Sequence, residues 1–200
     1  MVDADPARLE RLVLATGNPD KVAELVRLLD GRFEVVPRPS TVPETVEDQP
    51  TLVGNARKKA TEIALASSAP ALSDDTGLFV NALGGGPGVR TARYAGENAT
   101  YDDNVDKLLT ELENAADRGA QFRTVVAIVW PDGRELIANG SVDGMITPER
   151  RGERGFGYDP VFAPLEADGR TFAEMSLDEK GELSHRARAL AALLAQFPSA

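Results

Sequence analysis

The chain of 200 residues contains no cysteine, a single histidine and a single tryptophan. Without cysteine there is no disulfide, no thiolate metal site and no cysteine nucleophile. One histidine is too few for a histidine-rich metal centre. Long apolar runs are missing as well. The run Val125 to Trp130 is far shorter than the roughly 20 residues that span a bilayer. The first residues, M-V-D-A-D-P, are acidic and lack the apolar segment of a secretion signal, so a cytoplasmic protein is expected. Positive charge is scarce: 22 Lys and Arg stand against 32 Asp and Glu, for a net charge of -10. Only five of those basic residues are lysines, at 21, 58, 59, 107 and 180. A basic stripe for nucleic acid is therefore not expected, nor a membrane partner. Such an acidic, lysine-poor surface suits solubility in high salt. It also means that an anionic substrate needs a locally basic pocket.

Apolar residues make up 42% of the chain. At this length the simplest organisation is one domain, residues 1–200, with a substantial core. Arg11 to Thr16 reads as a buried strand because Leu12, Val13 and Leu14 are contiguous. Gly17 breaks it. Asn18 suits a helix N-cap, Pro19 the first helical position, and Val22, Leu25, Val26 and Leu29 form an apolar stripe. Such a junction presents backbone N–H groups that favour phosphate, with Lys21 at hand, although no Walker loop is present. Phe33 to Val36 reads as a second strand and Pro37 to Pro50 as an acidic, proline-broken loop. Thr51 to Ser67 is expected to be a helix, with Arg57, Lys58 and Lys59 forming a solvated basic face. Tyr101 to Ala116 reads as another helix. Phe122 to Trp130 and Leu136 to Met145 read as a hairpin joined by P-D-G-R. Met175 to Lys180 reads as a polar connector. Ser184 caps a last helix, His185 to Phe197, and His185 at its start is expected to be exposed and neutral.

Two stretches carry candidate chemistry. In L-S-D-D-T-G-L-F-V, 72–80, neighbouring side chains of an extended chain point to opposite faces, so Asp74 and Asp75 diverge. One is then free to face a cleft as a metal ligand or general base, while Thr76 and Gly77 read as a turn-like break. Taken alone, the stretch reads first as an ordinary solvated turn between strands. In R-G-F-G-Y-D-P, glycines flank Phe156 and Tyr158, which suits rings exposed to hold a flat base, or rings folded into the core.

Taken in order, T-G-N-P-D-K at 16–21, S-D-D-T-G-L-F-V-N-A-L-G-G-G-P-G at 73–88, A-R-Y-A-G at 92–96, G-F-G-Y-D-P at 155–160, and A-E-M at 173–175 with E-K at 179–180 and S-H-R at 184–186 resemble the inosine triphosphate pyrophosphatase family, also described as dITP/XTP pyrophosphatases. The resemblance implies a mixed α/β fold, with an elongated central sheet flanked by helices and two lobes around an active-site cleft. It implies cleavage of ITP, dITP and XTP to the monophosphate and pyrophosphate, a Mg²⁺ requirement and a homodimer. Carried over residue by residue, it implies that Thr16, Gly17, Asn18, Pro19, Asp20 and Lys21 hold the triphosphate and that Lys59 reaches phosphate. Asp75 would be the catalytic base and, with Glu47, a metal ligand; Thr76 would touch substrate. Phe156, Gly157, Tyr158 and Asp159 would frame the base, completed by Lys180, His185 and Arg186. Thr76 stands where serine is commoner, Gly54 where an acid is common, and Glu44 is the other acid of the loop able to fill the role of Glu47. Donors from His185 and Arg186 would meet the 6-keto oxygen and N7 of a deaminated purine, whereas adenine presents an amino donor at position 6. A Maf-like pyrophosphatase and a non-catalytic nucleotide-binding regulator are the rival readings. The retained acids Glu47 and Asp75 argue against the regulator.

Overall fold

A computed structural model describes residues 10–197. The terminal residues 1–9, including the acidic M-V-D-A-D-P start, and 198–200 lie outside the described residues. Strand β1 (Arg11–Leu14) is covered on both faces, as its unbroken apolar run requires. It pairs in parallel with β2 (Glu34–Val36) on one side and with β3 (Ala71–Val80) on the other. The short β4 (Pro87–Gly88) lies antiparallel against the end of β3. Strands β5 (Gly119–Val129), β6 (Glu135–Ile146) and β7 (Phe162–Pro164) extend the sheet antiparallel, in the order β2-β1-β3-β5-β6-β7. The result is the expected mixed α/β architecture.

The helices begin where the sequence places caps. The side-chain oxygen of Asn18 accepts from the N–H groups of Asp20 at 3.0 Å and Lys21 at 3.2 Å to start α1 (Pro19–Leu28). Thr51 caps α2 (Leu52–Ser67), and Thr100 with Asp103 forms a capping box for α3 (Tyr101–Glu111). The segment expected to be a polar connector is instead a short helix, α4 (Leu177–Leu183), started by a Ser176–Glu179 capping box. Its S-x-x-E pattern was the available signal. Ser184 caps α5 (His185–Leu194), taking a hydrogen bond from Ala187 N–H at 3.2 Å.

The expected break at Thr76–Gly77 does not occur. β3 runs unbroken through both, with Thr76 opposite Thr124 and Gly77 opposite Arg123 on β5. Glycine is needed at 77 for a different reason: a Cβ there would sit 2.7 Å from the Gly88 carbonyl oxygen of β4.

Three apolar clusters flank the sheet. Helix α2 packs Ala56, Ala60 and Ile63 on one face over Val13, Ala71 and Val125. Helices α1 and α5 pack Leu25, the α1 C-cap Leu29, Leu190 and Leu193 on the other face over Leu12, Leu72 and Val126. A third cluster, with Leu78, Val80, Leu108, Phe122, Phe162 and Phe172, forms the second lobe around the far half of β3 and β5. Along β3, Ala71 and Leu72 belong to the first two clusters and Leu78 and Val80 to the third, with Phe79 turned back to the first, so the polar segment 73–76 falls at the seam. That seam is the cleft.

Helix α5 lies against β6 closely enough that a Cβ at Gly140 would run into the backbone of His185 and Ala189. Gly140→Ala is therefore expected to destabilise the protein by about 1–3 kcal/mol by forcing α5 outward. A urea melt checks this, and an unchanged midpoint would contradict the close packing.

Candidate active site

The strand geometry sends Asp74 and Asp75 in opposite directions. Asp75 is buried beneath α2, where Lys59 Nζ lies 2.9 Å from its Oδ1 and Asn55 Nδ2 3.2 Å from its Oδ2. The same ammonium lies 2.5 Å from Glu47 Oε1, while Arg93 Nη2 reaches Glu47 Oε2 at 3.5 Å. Glu47 and Asp75 thus face one position from two sides, with Lys59 between them. Lys59 is only 7% exposed. The expected solvated basic face is therefore divided: Arg57 turns out to Glu135 and Lys58 to Asp48, whereas Lys59 turns in. Helical spacing separates three consecutive residues by about 100° each, so they cannot share one environment. Glu44 lies elsewhere on the cleft wall, its Oε1 beside Gly17.

Asp74 is fully buried on the other face. Its Oδ2 accepts from Arg186 Nη2 at 2.9 Å and Nε at 3.1 Å, and Lys21 Nζ lies 3.2 Å away. Burial by itself would raise its pKa, but Lys21, Arg186 and Lys59 outweigh it and hold the carboxyl well below the usual range. Asp75 moves the other way. Burial, reinforced by the charge of Glu47, pushes its carboxyl up against the pull of Lys59 and Lys21.

From Arg186 the ion pairs continue across the cleft floor. Its Nη1 donates to Glu24 of α1, which also accepts from Lys180 Nζ at 2.6 Å. Lys180 in turn lies 2.6 Å from Asp159 Oδ2 and 4.9 Å from the centroid of the Phe156 ring. Asp159 also takes the backbone N–H of Phe156 at 2.8 Å, which fixes the loop. Phe156 is half-buried in the cleft beside Tyr101, with ring centroids 5.7 Å apart. Tyr158 is almost wholly buried, and its hydroxyl donates to Thr91 O at 3.0 Å. The two aromatics of the motif therefore divide between the two readings: one ring stands at the cleft and the other joins the core.

These residues enclose a cavity of about 270 Å³. Of the expected positions, Thr16, Gly17, Asn18, Lys21, Glu47, Lys59, Asp75, Thr76, Phe156, Gly157, Tyr158, Asp159, Lys180, His185 and Arg186 line it. Pro19 and Asp20 do not: they lie on the first turn of α1, and Asp20 is turned aside to accept from Tyr101 Oη at 3.1 Å. Three of the five lysines of this acidic chain are in the wall. Among the described residues no three Asp, Glu or His side chains gather as a metal cage; Glu47 and Asp75 converge on one position, which the Lys59 ammonium takes.

The family model described as Ham1 family matches residues 12–196. The chain belongs to the Ham1 family. A dITP/XTP pyrophosphatase of Desulfotalea psychrophila is 46% identical over 190 residues, covering 94% of this chain and 85% of the relative. One of Caulobacter vibrioides is 47% identical over 188 residues, covering 92% and 96%. Among solved structures, a HAM1 protein from Coxiella burnetii superposes with a TM-score of 0.84 at 40% identity, covering 94% of this chain and 98% of that one. The motifs that carried the resemblance to inosine triphosphate pyrophosphatases lie next to one another in the fold, and most of their polar residues face the cleft.

Sequence reasoning gave no role to Glu24, Asn55, Arg93, Tyr101 or Thr124. Glu24 lies one turn beyond Lys21 on α1, which was the only local signal for it, and Arg93 stands inside the quoted A-R-Y-A-G motif. His185 is the clear correction. It is 4% exposed rather than exposed, stacked on Phe122 with centroids 4.5 Å apart. The helix start on which it sits is docked onto β5 and β6. Burial, with Arg186 and Lys180 nearby, holds its pKa well below the ordinary value, so it is neutral as expected.

That burial has a measurable consequence. The unfolded chain takes up a proton at its only histidine below about pH 6.5, while the native state does not. This part of the stability is present above pH 6.5 and lost as pH falls below it, by about 1.4 kcal/mol per pH unit for one proton. His185→Asn is expected to remove this component between pH 7 and 5 in denaturant melts. Identical pH slopes for the two proteins would show that the native imidazole titrates normally.

Proposed function

We propose that this protein hydrolyses the deaminated purine nucleoside triphosphates ITP, dITP and XTP to the monophosphate and pyrophosphate, clearing them from the nucleotide pool. The observation that carries this is the Glu47–Lys59–Asp75 cluster meeting the Lys21 helix start in one cleft, with the Phe156 ring at its other end. Relatives named dITP/XTP pyrophosphatase at 46–47% identity support the same reading.

The N-terminus of α1 and Lys21 hold phosphate oxygens by backbone N–H groups and a point charge. Lys59 is a second cation within reach. Asp75 accepts a proton from the attacking water; its raised pKa makes it a better base than a solvated aspartate. Water adds to the α-phosphorus, the bond from that phosphorus to the bridging oxygen breaks, and pyrophosphate leaves. Two carboxylates from different elements suit Mg²⁺, which takes few protein ligands and completes its shell with phosphate and water, so Glu47 and Asp75 are the residues that would hold it. When bound, it supplies charge neutralisation and Lewis acidity to the triphosphate. At the other end, Phe156 packs on the flat base, with Gly157 and Asp159 shaping the loop around it. Lys180 and His185 supply donors, and Arg186, committed to Asp74 and Glu24, holds the floor. The same reading carries residues 1–200 as one catalytic domain, a homodimer and a cytoplasmic setting. The continuous sheet through both lobes supports the single domain. No described helix is long and apolar enough to cross a membrane, and the net charge of -10 supports a protein without nucleic-acid partners.

Incubation with ITP, XTP, GTP and ATP, with and without Mg²⁺, is expected to give metal-dependent pyrophosphate release from ITP and XTP with little from ATP. Comparable ATP turnover, or orthophosphate as the product, would overturn the proposal. Preference for modified pyrimidines would favour the Maf-like alternative. Asp75→Asn is expected to lower kcat by about 10²–10⁴ while nucleotide still binds. An unchanged kcat would remove Asp75 from the base role.

A further inference from the structure

At the cleft floor, two hydroxyls, one half-buried and one fully buried, connect the catalytic strand to the histidine. Thr76 Oγ1 and Thr124 Oγ1, opposite one another on β3 and β5, are 2.6 Å apart. Thr124 Oγ1 is in turn 2.6 Å from His185 Nδ1. Thr124 is fully buried, and among the described residues this is the hydrogen bond made by the imidazole. Each hydroxyl carries one proton, so the chain of hydrogen bonds must run in a single direction. Which direction is set at the Thr76 end. There Arg186 Nη2, which can only donate, lies 3.4 Å from Thr76 Oγ1. The competing acceptor for the Thr76 proton, Asp74 Oδ2, is 3.5 Å away and already carries Arg186 Nε, Arg186 Nη2 and Lys21 within 3.2 Å. That crowding at Asp74 Oδ2 favours Thr124 Oγ1, at 2.6 Å, as the acceptor of the Thr76 proton, and the Thr124 proton then goes to Nδ1. A neutral imidazole that accepts at Nδ1 carries its proton on Nε2.

We infer that Thr124 is a specificity-determining positioning residue: through Nδ1 it fixes His185 as the Nε2–H tautomer, so the imidazole presents the cleft with a hydrogen-bond donor. The neutrality of the buried ring, argued above, is the condition under which the tautomer matters. A donor there pairs with the 6-keto oxygen of a deaminated purine. It leaves the 6-amino group of adenine facing another donor, and an unpaired polar group in a buried site is costly. The opposite tautomer would offer a bare acceptor and welcome the adenine amino group. Thr124 does this without touching the nucleotide. The inference rests on the 6-keto purine reading for its consequence, but the tautomer itself is independent of any substrate.

The single histidine makes the test unambiguous. The full chain, labelled with ¹⁵N-histidine, is observed at pH 7 by long-range ¹H–¹⁵N correlation. The wild type is expected to show a protonated Nε2 and an unprotonated Nδ1. A spectrum with the proton on Nδ1 overturns the inference outright and needs no variant. Thr124→Val, which keeps the side-chain shape, is expected to give a mixed tautomer population and to lower the ratio of kcat/KM for ITP over ATP by about tenfold, the worth of one hydrogen bond. Thr124→Ser is expected to restore both. A folded Thr124→Val protein with wild-type tautomer and wild-type discrimination would overturn it. If the wild type shows the Nε2–H tautomer yet does not prefer ITP, the substrate reading fails while the hydroxyl wiring stands.

Discussion

A buried negative charge that must be compensated organises this molecule. Asp74 is a fully buried carboxylate in the central strand, and an isolated ion there would not be tolerated. Its charge is met by Arg186 from α5 and Lys21 from α1, elements 112 and 53 residues away in the chain. Arg186 is itself only 2% exposed and takes Glu24 as a second partner; Glu24 takes Lys180, and Lys180 takes Asp159. Removing one member of such a buried set leaves its partner uncompensated, at a cost of about 3–5 kcal/mol. The set therefore fixes where α1, α4, α5 and the 155–160 loop stand relative to β3. Those are the elements that wall the cleft at its two ends.

The two aspartates divide structure from chemistry. Asp74 is held so firmly in its ionised form that it has no use as a proton acceptor. Asp75, one residue on and facing the other way, keeps a raised pKa and opens onto the cleft with Lys59 and Glu47. The alternation of a strand gives these environments to adjacent residues at no extra cost in backbone geometry. The position of the pair is as important as its orientation. It lies where the apolar clusters of the first lobe end and that of the second begins, so a polar segment of β3 can be lined by both lobes without disrupting either core.

Much of the fold was legible in the chain, because its signals are local. The Asn18-Pro19 cap, the Leu12–Leu14 run and the P-D-G-R hairpin each specify their element through backbone chemistry within a few residues. The misreadings came where a local signal had two meanings. Gly77 looked like a turn residue, but it is glycine because β4 passes too close for a side chain. The segment around 177 looked polar and irregular although it carries a capping box. Lys59 was grouped with its basic neighbours when helical rotation sends it inward.

The sequence by itself determined the ordered motifs, the divergence of Asp74 from Asp75, and the scarcity of lysine that makes a basic cleft conspicuous. The tertiary structure alone decided which charges meet. Glu24 on a helix face, Arg93 at the end of a 3-10 turn and Thr124 in an apolar strand have no neighbour in the chain that reveals their partners. Their partners lie 162, 46 and 61 residues away for Arg186, Glu47 and His185. Burial likewise was decided only when α5 docked on β6, which turned a histidine at an apparently open helix start into a ring sealed against Phe122. Backbone preferences act over a few residues, whereas charge compensation and desolvation act through space, so only the folded chain could settle them.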